Sequence, residues 1–256
     1  MKFSRKIYWI IFYWASLTTF LPTAAPAQTV SKEMNTQYQS WLSINNTIRL
    51  TKSLGVIADL HIKRNHFLAD PGFYFGRWGV NYWLKENITA TLGFAEMWVA
   101  PTTQNWHQYA KEHRIYQQFQ LSSNIGKIGL VQRIRNEQRW QQKMVNDQFI
   151  HRFKLTNRVR YLVSVVIPFW KNTHYPSLVV SDELMIQWGK EIVYNTFDQN
   201  RFFLGIKQPL GKSLSMDAGY MMIVQQKASG YQYDKNHTLR CFFYFTPNWN
   251  RPNASK

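Results

Sequence analysis

The chain has 256 residues, with 31 Lys and Arg against 14 Asp and Glu, and a formal net charge of +17. Its single cysteine, Cys241, excludes an internal disulfide and a cysteine-built metal site. So basic a chain invites a nucleic-acid partner, but its basic residues alternate with apolar ones and follow an export signal, which argues against that partner.

That signal comes first. Lys2, Arg5 and Lys6 precede an uncharged, mostly apolar run from Ile7 to Leu21, and Ala25-Pro26-Ala27 supplies a small-x-small cleavage site before Gln28. The run is about 15 residues, short of the roughly 20 that a membrane-spanning helix needs. The sequence therefore predicts a cleaved signal peptide over 1–27 and one domain over 28–256, which keeps 28 basic and 14 acidic side chains. The later apolar run Tyr161–Trp170 is short and contains Pro168, so any further membrane entry is by strands.

Alternating patterns dominate the rest. They predict strands at 37–50, 53–66, 72–84, 88–100, 109–122, 127–141, 149–166, 177–189, 201–209, 212–226 and 236–246. Most are about 10–15 residues long, whereas soluble strands cluster near five or six and a tilted membrane strand needs about 9–11. In 54–62, Leu54, Val56, Ala58, Leu60 and Ile62 alternate with Gly55, Ile57, Asp59 and His61. In 212–224, Leu214, Met216, Ala218, Tyr220, Met222 and Val224 alternate with Ser213, Ser215, Asp217 and Gly219. Short connections at 51–52, 85–87, 122–126 and 210–211 mostly alternate with longer ones at 66–72, 101–108, 142–148, 189–200 and 227–235; the long 168–176 breaks that rhythm. Aromatics near strand ends, among them Trp41, Trp83, Trp98, Trp140 and Trp188, suit interfacial girdles. The expected fold is all-β: a transmembrane antiparallel up-and-down barrel in the outer membrane. Because single-chain bacterial barrels normally have an even strand number, eleven segments predict twelve strands, Thr29–Gln37 adding a short one, with ten as the alternative.

The strongest pattern lies past the middle. Arg133, Arg135, Glu137 and Arg139 occupy every second position, and Arg152, Lys154, Thr156, Arg158 and Arg160 repeat the device. Phe153, Leu155, Val159, Tyr161 and Val163 fill the alternate places. In a barrel the apolar face meets lipid and the charged face lines the lumen. Gln132 and Asn136 fall on the lipid face and fit it poorly. Glu112, Glu137, Glu183 and Asp217 are the acids expected to pair with the ladder, too few for all its cations. The lumen is then either a filled Arg–carboxylate network or a cationic space for small anions.

These residues carry a resemblance. Arg133-x-Arg135-x-Glu137-x-Arg139, Arg158-x-Arg160, Asn195-Thr196 followed by Phe197-Asp198-Gln199-Asn200-Arg201, then Leu204-Gly205 and Gly219-Tyr220, resemble an uncharacterised family of outer-membrane barrels of Gram-negative bacteria catalogued as a domain of unknown function. The resemblance covers most of the mature chain. It implies the fold and the outer membrane as location, with its lipid and lipopolysaccharide as partners, and no mechanism.

Enzymatic signals are weak. A lipid hydrolase needs an activated serine beside a histidine, and none of His61, His66, His107, His113, His151, His174 and His237 has a serine two residues away on its strand face. A cross-strand Ser–His pair is the remaining route to a lipid- or lipopolysaccharide-modifying enzyme. His237 and Cys241 are separated by about 13 Å of strand, too far for one metal. Asp198 and Asn200 read as a structural turn leading into Arg201. No catalytic residue, metal ligand or cofactor is assigned. A non-enzymatic barrel, a barrel-borne hydrolase and a soluble periplasmic β-protein are the three readings, in that order; oligomeric state is not encoded in any pattern found.

Overall fold

Alternation of apolar and polar side chains produces eleven strands in the computed structural model, which describes residues 31–170, 172 and 174–249. The expected signal peptide over 1–27 lies outside the described residues. The strands are β1 (Glu33–Arg49), β2 (Leu54–Asn65), β3 (Asp70–Lys85), β4 (Ile88–Val99), β5 (Ala110–Ile125), β6 (Ile128–Val145), β7 (Gln148–Pro168), β8 (Ser177–Trp188), β9 (Phe197–Pro209), β10 (Leu214–Gln226) and β11 (Gln232–Phe245). Each pairs antiparallel with the next, and β1 closes the barrel by pairing parallel with β11 from Glu33↔Gln232 to Asn46↔Phe245.

That seam corrects the expected strand number. Closure takes eleven strands, not twelve or ten. Residues 33–37 are the first turn of the pleat of β1, not a separate strand. An odd count leaves the first and last strands running in the same direction, and parallel pairing satisfies their backbone groups as well as a twelfth strand would. Closure leaves no sheet edge among the described strands. No helix among the described residues is long and apolar enough to cross a membrane.

The barrel is staggered. Perpendicular pairing from Arg160 runs through Arg135, Gln118, Thr91, Asn81 and Gly55 to Arg49 on β1. In the other direction it runs through Met185, Gln199, Gln225 and Asp234 to Asn35 on the same strand. The offset between Arg49 and Asn35 is the shear, and it tilts every strand to the barrel axis.

Two glycine pairs let bulky rings lie flat on the inner wall. Gly79 and Gly93 are register partners, and a Cβ on Gly93 would sit 2.4 Å from the Tyr116 ring. Gly205 and Gly219 are register partners under Phe203; a Cβ on Gly219 would sit 2.4 Å from the Gly205 Cα. An aromatic ring covering a wall glycine replaces the missing side-chain packing and permits curvature.

Connections differ from expectation most at one hairpin. The segment 142–148, expected to be a long loop, is strand except for Asn146 and Asp147. Both have positive φ, 50° and 59°, as the central residues of a type I′ turn require. β6 and β7 therefore project beyond the wall. The Asp147 carboxylate accepts from the backbone N–H groups of His107 and Gln108 at 2.9 and 2.8 Å, tying the hairpin tip to the β4–β5 loop. These two bonds hold the Asp147 carboxyl below its usual range. On the same rim Lys143 donates to Glu191 at 2.8 Å, and that bond lowers the Glu191 carboxyl likewise.

The outer wall is apolar around its circumference. Leu42, Leu60, Trp78, Leu92, Phe119, Ile134, Leu155, Leu184, Leu204 and Leu239 are all exposed there. The outward Gln132 and Asn136 are satisfied locally: Tyr161 donates to Gln132 at 2.8 Å, and Asn136 donates to Gln117 at 3.0 Å. Asn200 likewise donates to Asp182 at 3.0 Å, and His113 lies 3.2 Å from Glu96.

Candidate functional site: an arginine–carboxylate lumen

The ladder faces inward. Arg135, Glu137, Arg139, Arg158 and Arg160 are buried, as is Thr156, while Leu155 between them is 49% exposed on the outer wall. Arg133 is partly buried on the same inner face. Strand pleat alone accounts for this, since successive side chains point to opposite sides.

Cross-strand register then decides the partners. Glu137 and Arg158 are opposite one another on β6 and β7, and Arg158 donates from Nε and Nη2 to Glu137 Oε2 at 2.9 and 2.5 Å. Arg160 Nη1 donates to the other Glu137 oxygen at 2.9 Å. Arg160 also grips Glu183 with a two-bond fork at 3.0 and 2.8 Å, and Arg133 reaches the same carboxylate at 2.7 Å. Arg139 makes a second fork to Glu112 at 2.7 and 3.0 Å, which Arg114 joins at 2.5 Å. Such bidentate pairs fix geometry as well as charge. Asp217 sits apart, 3.4 Å from Lys207 and 3.7 Å from Arg240.

Two expected ladder members lie outside this network. Arg152 is exposed and Lys154 only half-buried, and neither lines the lumen cavity. They share the inner face of β7, but that strand extends past the wall at the β6–β7 hairpin, so their height removes them from the lumen.

The Phe197–Arg201 motif needs a larger correction. It is the start of β9 rather than a turn before it. The pairing jumps from Met185↔Gln199 to Ile186↔Phe197, leaving Asp198 as the extra residue of a bulge. A bulge re-aims side chains, and here consecutive Asp198 and Gln199 are both buried. Asp198 accepts from Arg158 Nη1 at 2.7 Å, and Gln199 accepts from Arg201 at 2.8 Å. Phe197 is partly buried, and Asn200 turns outward to Asp182.

Several lumen charges lie outside the ladder and the acids expected to pair with it. Asp59 pairs with Arg77, and both are buried. Arg114, Arg201 and Arg240 also point inward, as does Asp234, which pairs with Lys227. The alternation Glu112-x-Arg114-x-Tyr116-x-Gln118 was the available signal on β5. On β3 the inner face reads Phe73, Phe75, Arg77, Gly79 and Asn81, so a lone charge formed no ladder.

Cations outnumber acids in the connected network. Arg77, Arg114, Arg133, Arg135, Arg139, Arg158, Arg160 and Arg201 share Asp59, Glu112, Glu137, Glu183 and Asp198. Aromatic faces take part of the surplus. Arg77 and Arg135 lie 5.6 and 5.0 Å from the Tyr116 ring, Arg114 lies 5.2 Å from Phe75, and Arg201 lies 4.9 Å from Trp41. Trp41 meets His61 edge-on, and His61 meets Phe75. A circuit of contacts thus runs around the inner wall, from Glu137 through Arg160, Glu183, Arg201, Trp41, His61, Phe75 and Arg114 back to Glu137, with Arg135, Tyr116 and Arg77 branching from it. An apolar cluster of Trp41, Val179, Phe203, Met221 and Ile223 fills the side where charges are fewer. Around these groups a cavity of about 860 Å³ is lined by residues from Asn65 and Thr102 at one end to Asn87 and Thr246 at the other.

One serine and one histidine do meet across strands. Ser43 and His61 are register partners on the inner face of β1 and β2. Neither side chain has a hydrogen-bond partner, so the serine is not activated and no carboxylate orients the imidazole. Cys241 and His237 face outward; His237 is engaged by the Tyr220 hydroxyl at 2.6 Å. Among the described residues no three His, Cys, Asp or Glu side chains gather to hold a metal.

No curated protein and no solved structure matches the chain. A family model described as "Protein of unknown function" matches residues 38–234, from β1 to the start of β11. The closed all-β barrel with its inward ladder is what those residues build, and the chain belongs to this family, DUF2490.

Proposed function

We propose that the chain is an outer-membrane β-barrel without enzymatic activity, whose lumen is held by an arginine–carboxylate network and admits small anions only weakly. The observation that carries this reading is the two-sided wall. Outside, large apolar residues are exposed around the whole barrel; inside, eight arginines share five carboxylates. Exposed apolar surface of that extent is costly in water and favourable in lipid, which disfavours a soluble periplasmic protein. The excess of fixed positive charge favours anions in whatever path the lumen leaves, while the circuit of side chains opposes bulk flow. The signal-like residues 1–27 supply the export route.

A hydrolase is the weaker alternative. Its support is the Ser43–His61 register pair, and it lacks the hydrogen bond between them that nucleophile activation requires.

The test is membrane fractionation followed by planar-bilayer recording. The chain is expected in the outer-membrane fraction, with unheated and boiled samples running differently on gels. In bilayers it should show small conductance with anion preference. Recovery in the soluble periplasm without detergent would refute the reading.

A further inference from the structure

The lumen has two chemically different sides that meet at Trp41. On one side Arg135 and Arg201 are the network arginines least committed to carboxylates. Arg135 donates to Gln118 at 2.9 and 2.5 Å, and its nearest carboxylate, Glu137, is 3.6 Å away. Arg201 donates to Gln199, and its nearest carboxylate, Glu183, is 3.7 Å away. Both guanidinium groups rest on aromatic faces instead, Arg135 on Tyr116 and Arg201 on Trp41. Both line the same cavity as His61.

Polar atoms of Trp41, which Arg201 covers, and of its neighbour His61 are unsatisfied. Trp41 Nε1 and both nitrogens of His61 are buried, line the cavity and have no hydrogen-bond partner. Buried polar atoms in folded proteins are normally partnered, and each orphan calls for an explanation. Here the Trp41 N–H and the single N–H of a neutral His61 ring, donors with no acceptor, line the same cavity as guanidinium groups whose nearest carboxylates are 3.6 and 3.7 Å away. One acceptor-rich, negatively charged group would satisfy both donors. On the other side Trp41 continues into an apolar wall, edge-on to Phe73 at 5.3 Å and to Phe242 at 5.5 Å, with Met221 and Ile223 behind. The two sides line one cavity of about 860 Å³ that runs the length of the lumen, and small-molecule sites are mostly apolar with a few convergent polar groups.

We infer that the lumen holds a binding site for a small amphipathic organic anion, whose carboxylate seats between Arg135 and Arg201 beside Trp41 Nε1 and His61, and whose apolar body lies against Trp41 and Phe73. The inference deepens the reading of a cationic lumen and rests on it for the route of entry. It goes further by naming a ligand class and a place.

The experiment uses the chain folded in detergent, with benzoate, its neutral analogue benzamide and inorganic phosphate as probes, in isothermal titration. Benzoate is expected to bind at least about tenfold more tightly than either other probe, since one charge-assisted contact of that size corresponds to a tenfold change in affinity. Arg201→Gln and Arg135→Gln should each weaken benzoate about tenfold or more. Trp41→Phe, which keeps a ring but loses the N–H, should weaken it less than either arginine variant. Equal affinity for benzoate and benzamide in the unaltered protein would overturn carboxylate recognition without relying on any variant. Phosphate binding as tight as benzoate would overturn the apolar half of the site. Unchanged benzoate affinity in both arginine variants would overturn its location. Benzoate binding by a barrel that shows no conductance would end the conduction reading and leave the site standing.

Discussion

Arg158 and Glu137, opposite one another on adjacent strands, share two hydrogen bonds to a single carboxylate oxygen, and the same arginine reaches Asp198 on β9 with its remaining nitrogen. One guanidinium therefore ties together three strands, and Glu137 is the acid on which Arg158 and Arg160 both converge. Glu137→Gln leaves those two cations with a neutral acceptor in a confined space. Breaking one partner of a buried ion pair costs about 3–5 kcal/mol, so the temperature at which the folded form is lost on gels should fall. In a double-mutant cycle, Arg158→Gln should recover part of that loss. Additive effects of the two changes would show that the pair is not coupled.

The face assignment makes an independent prediction on β7. Leu155 is exposed on the outer wall, Val163 shares its face, and Thr156 between them is almost fully buried inside. In the proposed outer-membrane setting, Leu155→Arg and Val163→Arg should each impair assembly, because arginine on a lipid-facing wall costs about 2–4 kcal/mol at the bilayer midplane. Thr156→Ser removes one methyl and should be mild. Yield of folded protein in outer-membrane extracts compares the three, and similar yields would contradict the assignment.

Curvature depends on the glycine pairs. Gly219→Ala places a methyl 2.4 Å from both the Gly205 Cα and the Leu204 carbonyl oxygen. These are backbone atoms that cannot step aside, so the wall or Phe203 must shift, at a cost of about 1–3 kcal/mol or more. Gly211→Ala, with open space around it, is the control. The thermal midpoint should fall for the first and hold for the second.

Asp147 gives a pH dependence. Its folded-state carboxyl lies below the ordinary value, chiefly through the His107 N–H bond. Protonation is therefore harder in the folded state, and the tie between hairpin and loop is present above the ordinary aspartate range and lost as pH falls through the lowered value. Protection of the His107 and Gln108 amides, taken relative to their intrinsic exchange rate at each pH, should fall on acidification. In Asp147→Asn that protection should be low throughout and insensitive to pH over that range. A pH-insensitive wild-type signal would remove the carboxylate from the explanation.

Local periodicity determined a great deal of this protein by itself. A strand side chain points opposite to its neighbours whatever lies around it, so the inward set from Arg133 to Arg160 and the outward set from Leu155 to Val163 were legible in the sequence. So were the approximate bounds of all eleven strands, because turn residues interrupt the alternation. What periodicity cannot carry is which strand stands next to which, at what height. The parallel β1–β11 seam is a contact between segments at opposite ends of the described chain, and a preference for even strand numbers pointed away from it. Height took Arg152 and Lys154 out of the lumen, since β7 is longer than the wall is tall. The bulge at Asp198 broke the alternation and brought inward an acid that reads as a turn residue. Register, set by the stagger of the closed barrel, chose Arg158 and Arg160 for Glu137 and left Arg135 and Arg201 on aromatic faces. Ion pairing in a barrel is a property of neighbouring strands, and only closure makes those neighbours.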